Sequence, residues 1–451
     1  MFDLASLTKV VSTTTAVALL VEHGYLHLDT FVKDVLGDDF ANGGKQNIKI
    51  IHCLLHNAGF NPDPVPWYWD VTFGCPNTAD NMPQEDFSCL NPYIYFDSFM
   101  NEKLNTAPGE VYIYSDLSFI TLQMVVGMTV LDKHLVPSQS VRDCVGTSEY
   151  SGTNRVTGRD DAVYNTKYPP SVIVCAFEAF VRMEIFTKPI LQQTQNQPLP
   201  QSPVAAGAEA DAAVNAMEAP LPPSISVHSS TSSTAATGRS WMPNTTYLPD
   251  KQLWSNCAPT LNDTGDGSYT HRRLQGQVAD GDCYAMGGIA GHAGVFSTAT
   301  DVAAFAQYML QQRVKADRHN DAEDEVPVEG GKGPPQKDFS AIFELAPKTV
   351  KLFTTIHNST QSSRALGWST NSLESADFGY DHSCGTMSTV TFMHTGYTGT
   401  CLCVDPKNDL FSVVLTNRIY NCQGQLCPAG SSDDVKKVYR KFHTAVVANR
   451  K

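Results

Sequence analysis

The chain has little basic charge, no paired-cysteine metal motif and no uninterrupted apolar span. Lys and Arg number 32 against 46 Asp and Glu, a formal net charge of −14. Nucleic acid or an anionic membrane surface would find no attractive field there. No stretch reaches the roughly 18 uncharged apolar residues that a membrane span needs. Residues 10–21 imitate the apolar part of a signal peptide, but Asp3 and Lys9 lead into them and Ser12, Thr13, Thr14 and Thr15 dilute them. They are expected to form a buried helix ending at Glu22-His23-Gly24, with Gly24 as its left-handed cap. With neither leader nor span read in these residues, the sequence leaves the location unknown, the cytoplasm being only the default. Twelve cysteines in 451 residues are too few for a disulfide scaffold, and no C-x-x-C occurs. Reduced thiols serving as small apolar residues are the favoured reading. Cys401 and Cys403 alternate within a strand and so share one face. Cys422 and Cys427 could close a loop bridge. Neither a phosphate-cradling loop nor an internal repeat is present, and no cofactor or metal is expected.

What is there divides the chain unevenly. Residues 1–60 read as helix, loop, helix. His52 and His56 are four apart, as in a metal pair on a helix, but the acidic residue of H-E-x-x-H is missing; a helix end with half-buried histidines fits better. Residues 61–110 are rich in Pro and aromatics: Pro62, Pro64, Pro66, Trp67, Tyr68, Trp69, then Tyr93, Tyr95 and Phe96. These wall a cleft or pin a long loop; the sequence leaves both open. A turn at Ala107-Pro108-Gly109-Glu110 leads to an extended piece, Val111 to Tyr114. Asp116 then caps a helix through Leu117, Ile120, Leu122, Met124 and Val125. Residues 190–240 collapse into Gln, Pro, Ala, Ser and Thr and read as a disordered insertion. Residues 315–338 read as a solvated loop.

The glycines at 288, 291 and 294 do not match a nucleotide-binding spacing and point to close backbone packing beside a cleft. Thr298 to Asp301 make a capping box for a helix through Phe305 and Met309. Thr389–His394, Thr400–Val404 and Leu410–Thr416 read as three strands, and their short joins imply antiparallel pairing. A closing helix spans Val435 to Val447, with Val435, Val438, Tyr439, Phe442 and Val446 on one face.

Ser6-Leu7-Thr8-Lys9 places a serine and a lysine on neighbouring positions across one helical turn. A serine hydroxyl needs a nearby base to become a nucleophile, and an unprotonated lysine can be that base. The motif alone is weak, since a chain of this length holds one or two by chance; an exposed helix start with Ser6 as cap is the plain alternative.

Two further elements follow in order: Tyr114-Ser115-Asp116 and His394-Thr395-Gly396. The surrounding wording matters as well: Phe2-Asp3-Leu4-Ala5-Ser6, Ala290-Gly291-His292-Ala293-Gly294 and His394-Thr395-Gly396-Tyr397-Thr398-Gly399-Thr400. Together they resemble the serine penicillin-recognising superfamily, in its class C β-lactamase-like branch of carboxypeptidases, D-aminopeptidases and esterases. The resemblance implies an α+β, β-lactamase/transpeptidase-like fold: an antiparallel sheet flanked by helices (1–60 and 285–451) and a mostly helical part (61–284), one discontinuous domain with a cleft between.

It implies a serine hydrolase acting through an acyl-enzyme on an amide, ester or β-lactam, with a small-molecule or peptide substrate; the alternative is a non-catalytic member that binds or assembles. Ser6 is the implied nucleophile, Lys9 its base, held neutral by burial near positive groups, and Tyr114 the proton relay. Asp116 touches Lys9 or the substrate. His394 and Thr395 meet the substrate's carboxylate or polar tail. Gly396 leaves room for the substrate, and the backbone N–H groups of Ser6 and Tyr397 form the oxyanion hole. The family pattern has two strands before the S-x-x-K helix, and without them an edge strand is expected to lie exposed.

Overall fold

The computed structural model describes residues 1–68, 98–147, 167–190, 240–263, 272–318, 338–371, 383–420 and 431–449. The insertion expected over 190–240, the aromatics Trp69, Tyr93, Tyr95 and Phe96, and the Cys422 and Cys427 pair lie outside these residues, apart from the insertion's two end residues. Of the loop expected over 315–338, Lys315 to Arg318 instead continue a helix.

β1 (Phe2–Asp3) leads into a helical run of three kinds: a 3-10 turn (Ala5–Leu7), a π segment (Lys9–Thr14) and α1 (Thr15–Glu22). The Thr15 hydroxyl donates to the Val10 carbonyl five residues back, 2.8 Å away, beside the widened coil. Such π segments concentrate at functional sites. The run Ala5–Glu22 is long and apolar enough to cross a membrane by length and composition, but it carries Lys9 and 83% of it is buried inside the fold. Gly24 takes the expected left-handed conformation, φ 74°.

Short helices α2 (Val32–Leu36) and α3 (Ile50–Leu54) follow, then α4 (Asp116–Asp132), α5 (Ser138–Thr147) and α6 (Pro170–Val181). α4 is buried on nearly every side. It crosses α6 at Gly127, where a β-carbon would stand 2.3 Å from the Ile173 carbonyl oxygen. A disulfide, Cys144–Cys175, ties α5 to α6. A second, Cys384–Cys403, lies in the C-terminal part. Both correct the expectation of reduced thiols. Their partners are 31 and 19 residues apart and meet only through tertiary packing.

β2 (Pro259–Asp263) pairs with β3 (Arg272–Gln275); α7 (Gly281–Ala285), β4 (Phe296–Ser297), α8 (Ala299–Arg318) and α9 (Pro347–Thr354) come next. β1 and β4 pair antiparallel and bring the start of the S-x-x-K run against the Gly-rich segment. The main sheet has the order β5 (Ser369–Thr370), β6 (Phe392–Gly396), β7 (Thr400–Asp405), β8 (Leu410–Val414), all antiparallel. The three expected strands are therefore present, with β6 shifted toward the glycine. β8 has β7 on one side and no strand on the other among the described residues.

Every residue of β7 is buried, because both its faces are covered. Leu402 and Val404 join the main core. Cys401 and Cys403 join a smaller one under α10 (Ser431–Ala448). The apolar face expected for α10 divides. Tyr439 is buried and Val435 packs beside it, whereas Val438 and Phe442 are 53% and 42% exposed. Positions 435, 439 and 443 form the inward stripe at i, i+4 spacing, and 438 and 442 form the adjacent outward one.

The expected capping box at α8 is half made. The Asp301 N–H bonds Thr298 Oγ1 at 3.2 Å, but the Asp301 carboxylate turns to Asn244 N and Thr245 Oγ1.

Candidate active site

Four backbone-directed bonds fix the residues leading to Ser6. Leu4 N donates to the Val295 carbonyl at 2.9 Å, and Asp3 Oδ1 accepts from Ala5 N at 2.9 Å. Thr398 and Thr400 donate their hydroxyls to the carbonyls of Asp3 and Leu4, at 2.8 and 2.9 Å. Inside this clamp Ala5 holds φ 47°, a left-handed conformation that costs a residue with a β-carbon about 1–2 kcal/mol. Such strain is kept where surrounding structure over-determines it. Gly396 has a packing role that the motif did not assign. A β-carbon there would meet Leu4 O at 2.5 Å and Thr400 Oγ1 at 2.2 Å, so the missing side chain lets β6 close on the segment before Ser6.

Lys9 opens the π segment and is completely buried. Its ammonium donates to Ser6 Oγ at 2.9 Å and to the His292 carbonyl at 3.0 Å, and pairs with Asp116 Oδ1 at 2.6 Å. Burial works to lower its pKa, but Asp116 and Tyr114 together hold it above the ordinary lysine value. The expectation of a lysine kept neutral is thus reversed in the resting site, because Asp116 is turned onto the ammonium. The helix cap at this end of α4 is Ser115, with Asp116 its first residue.

Tyr114 lies 5.1 Å from the Lys9 ammonium, measured to the ring centre. Burial raises its pKa, so it rests as a neutral phenol. Its ring stacks on His56 at 4.5 Å and faces His394 at 6.2 Å. His56 is itself held at φ 55° and accepts the Ser115 N–H at Nδ1. His52 instead accepts the Lys49 N–H at Nδ1, so the two histidines do not converge as a metal pair.

His394, expected at the substrate's polar tail, is only 2% exposed, with Nδ1 on the Thr395 carbonyl at 2.8 Å. Burial, with Arg364 and Lys9 nearby, drives the pKa of both His56 and His394 well down. Both are neutral. Thr395 is half-buried and Tyr397 is 55% exposed, with the Arg418 guanidinium 4.4 Å above its ring.

The structure adds residues that the sequence motifs did not assign. Arg364 stands with its guanidinium carbon 5.2 Å from the Tyr114 ring centre and donates through Nε to the Tyr112 hydroxyl at 3.1 Å. One terminal nitrogen is buried with no protein acceptor. Nothing in its neighbours, Ser362-Ser363-Arg364-Ala365, marks it.

Behind Lys9, His292 Nε2 meets Asp280 Oδ1 at 2.9 Å. Burial opposes the imidazolium, but Asp280 and Asp116 hold its pKa above the ordinary value. Asp116, Asp280 and His292 offer ligand atoms within 4.8 Å of one another. Their charges are already matched by Lys9 and by the Asp280–His292 pair, so a cation would have to displace an ammonium. The close backbone packing expected of the Gly-rich segment is made against α4. A β-carbon on Gly291 would stand 2.2 Å from the Phe119 carbonyl oxygen, and Gln123 bonds both Gly291 N and Ile289 O.

The family model described as Beta-lactamase matches residues 1–129 and 231–424. A Salmonella enteritidis PT4 protein, provisionally named a D-alanyl-D-alanine carboxypeptidase, is 25% identical over 431 residues, covering 93% of this chain and 69% of its own. A Salmonella agona protein of the same provisional name matches to the same extent. Among solved structures, a penicillin-binding protein from Bacillus halodurans overlaps with TM-score 0.47 at 16% identity, over 98% of this chain and 86% of that one. A class C β-lactamase from Rhodobacter sphaeroides overlaps with TM-score 0.46 at 12% identity, over 99% and 85%.

Proposed function

The chain belongs to the β-lactamase family, and on that premise we propose that it is a serine hydrolase in which Ser6 is acylated by an amide, ester or β-lactam carbonyl. The observation that carries this reading is the position of Lys9, within reach of Ser6 Oγ and of Asp116 at once. In the resting site the ammonium must first lose its proton to solvent, against the hold of Asp116. The neutral amine then takes the Ser6 proton as Oγ attacks the carbonyl. The backbone N–H groups of Ser6 and Tyr397 receive the oxyanion. Tyr114, a neutral phenol, gives its proton to the leaving group and recovers one from Lys9. Water, activated by the same pair, releases the acyl group. His56 and His394 flank the Tyr114 ring without adding positive charge beside Lys9.

The substrate class follows from the charges. Arg364 holds a donor without a protein partner beside Tyr114, which suits a substrate with a free carboxylate. A peptide or acylated amino acid ending in a carboxylate has that form, as does an opened or intact penicillin. The relatives' provisional name, a carboxypeptidase for D-alanyl-D-alanine, fits the same chemistry.

A second reading has its own support. Lys9 rests protonated, and a lysine that never releases that proton would leave a binding fold without turnover. Labelling separates the two. A fluorophosphonate or a tagged penicillin should modify Ser6 alone, and Ser6→Ala should lower ester hydrolysis by about 1,000-fold or more. Mapping of the label to another serine, or equal labelling of Ser6→Ala, would remove the catalytic reading.

A further inference from the structure

The second core, between the sheet and α10, contains more metal-binding chemistry than packing needs. Cys401 and Cys403 lie on one face of β7, Cys384 comes from the turn that precedes β6, and His443 comes from α10. All four residues have no solvent exposure. Cys384 and Cys403 are joined as a disulfide. Cys401 keeps its thiol, with Sγ 3.8 Å from Cys403 Sγ. Sulfurs on one tetrahedral zinc, each about 2.3 Å from the metal, lie about 3.8 Å apart by the same geometry. The ligand atoms of Cys401, Cys403 and His443 fall within 4.8 Å of one another.

The histidine supplies an independent observation. His443 Nδ1 is engaged by the Ser412 hydroxyl on β8, while Nε2 is buried with no hydrogen-bond partner. An orphaned buried nitrogen is costly. A ring held through one nitrogen by a hydroxyl, with the other left over, is the arrangement in which a histidine meets a metal.

We propose that Cys384, Cys401, Cys403 and His443 form a Cys3His site that takes one zinc-like divalent ion when the Cys384–Cys403 bridge is reduced. Two equivalents of a thiol reductant cleave that bond. Its two sulfurs become thiols, and the reductant leaves as its own disulfide. Three thiols then lose three protons, and three thiolates with one neutral imidazole hold the ion. The soft donor set selects zinc over magnesium or calcium. The ion would join the turn around Cys384, β7 and α10 at the place where the disulfide joins only the first two. Oxidised and metal-bound states are thus alternative staples of one core. The sequence concealed the site, because Cys401-x-Cys403 lacks the two-residue gap of common zinc motifs and its other ligands lie far along the chain.

The test uses the full chain reduced with a phosphine under argon and titrated with Co2+ alone. One equivalent should bind with a thiolate-to-cobalt charge-transfer band and the intense visible bands of a tetrahedral site, and Zn2+ should bleach both. Cys401→Ser and His443→Ala should each weaken binding by at least about tenfold, while Cys257→Ser and Cys144→Ser should leave it unchanged. Binding at the Asp116, Asp280 and His292 cluster would give no sulfur band. Absence of the charge-transfer band in the reduced wild-type chain overturns the proposal, as does a band undiminished in a folded Cys401→Ser. Should that variant fail to fold, alkylation of the reduced wild type decides. Zn2+ should slow modification of Cys384, Cys401 and Cys403 by about tenfold or more, and equal rates with and without zinc overturn the site.

Discussion

Asp116 reaches the Lys9 ammonium at 2.6 Å, and on the proposed mechanism this contact decides at which pH Ser6 is activated. Burial favours the neutral amine, while Asp116 and Tyr114 favour the ammonium and prevail, so the pKa lies above the ordinary lysine value. The reactive form is the deprotonated one, so activity should climb with pH through the neutral and alkaline range. Asp116→Asn removes the charge that holds the proton. An opposite charge at this distance is worth about 1–3 pKa units, so the variant's pH–rate profile on p-nitrophenyl acetate should move to lower pH by about that much. A profile that stays in place would rule out Lys9 as the base. Arg364 invites a separate measurement. Replacing it with Met should raise KM about 10- to 100-fold for a substrate with a free carboxylate, in line with the worth of a charge-assisted hydrogen bond. The matching amide or neutral ester should be unaffected, and an equal loss for both would make Arg364 a structural residue. Motif reading singled out Ser6, Lys9, Tyr114 and Asp116, which the structure brings together, because each lies in a short local pattern. It could not find Arg364, Asp280 or the stacking of His56 on Tyr114, which exist only once distant segments meet. It also misjudged the charge of Lys9, because the balance between burial and an anion depends on distance.

The β6–β7 hairpin acts on the site as an element. Its register pairs Gly396 with Thr400, and Thr400 with Thr398 grips the carbonyls of Leu4 and Asp3. Gly396→Ala places a methyl group 2.5 Å from Leu4 O. Backbone on that side cannot yield easily, so the expected cost is about 1–3 kcal/mol of stability. Because the same shift displaces Ser6, kcat should fall by about 100-fold with KM little changed. Wild-type kinetics in a soluble Gly396→Ala protein would show that the clamp is not what seats the serine. Strand positions were legible here because alternation and turn residues are local signals. The direction of α10 was only half legible, since two apolar stripes run side by side and only packing against β7 shows which one faces inward.

At the scale of the molecule, the residues between Ile190 and Ser240 enter and leave the fold at neighbouring points. Trp241 N reaches the Lys188 carbonyl at 3.4 Å, and the Ser240 hydroxyl bonds the Phe186 carbonyl at 2.7 Å. The family match also omits residues 130–230. Replacing 191–239 with a linker of about six residues should keep esterase activity within about twofold and, from loop-closure entropy, gain about 2 kcal/mol of stability. Loss of activity or a markedly lower melting temperature would assign that stretch a structural duty. The two disulfides were invisible to composition, because nothing local distinguishes a bridged cysteine from a packed one. The clamp around Ala5 sets a timetable as well. Thr400 lies 396 residues beyond the Leu4 carbonyl that it holds, and at about 5–20 residues per second a ribosome needs about 20–80 s to cover that interval. Throughout that time the nascent chain carries Ser6 and Lys9 without the strands that seat them, so on the proposed mechanism the site has no assembled form before synthesis has reached the hairpin.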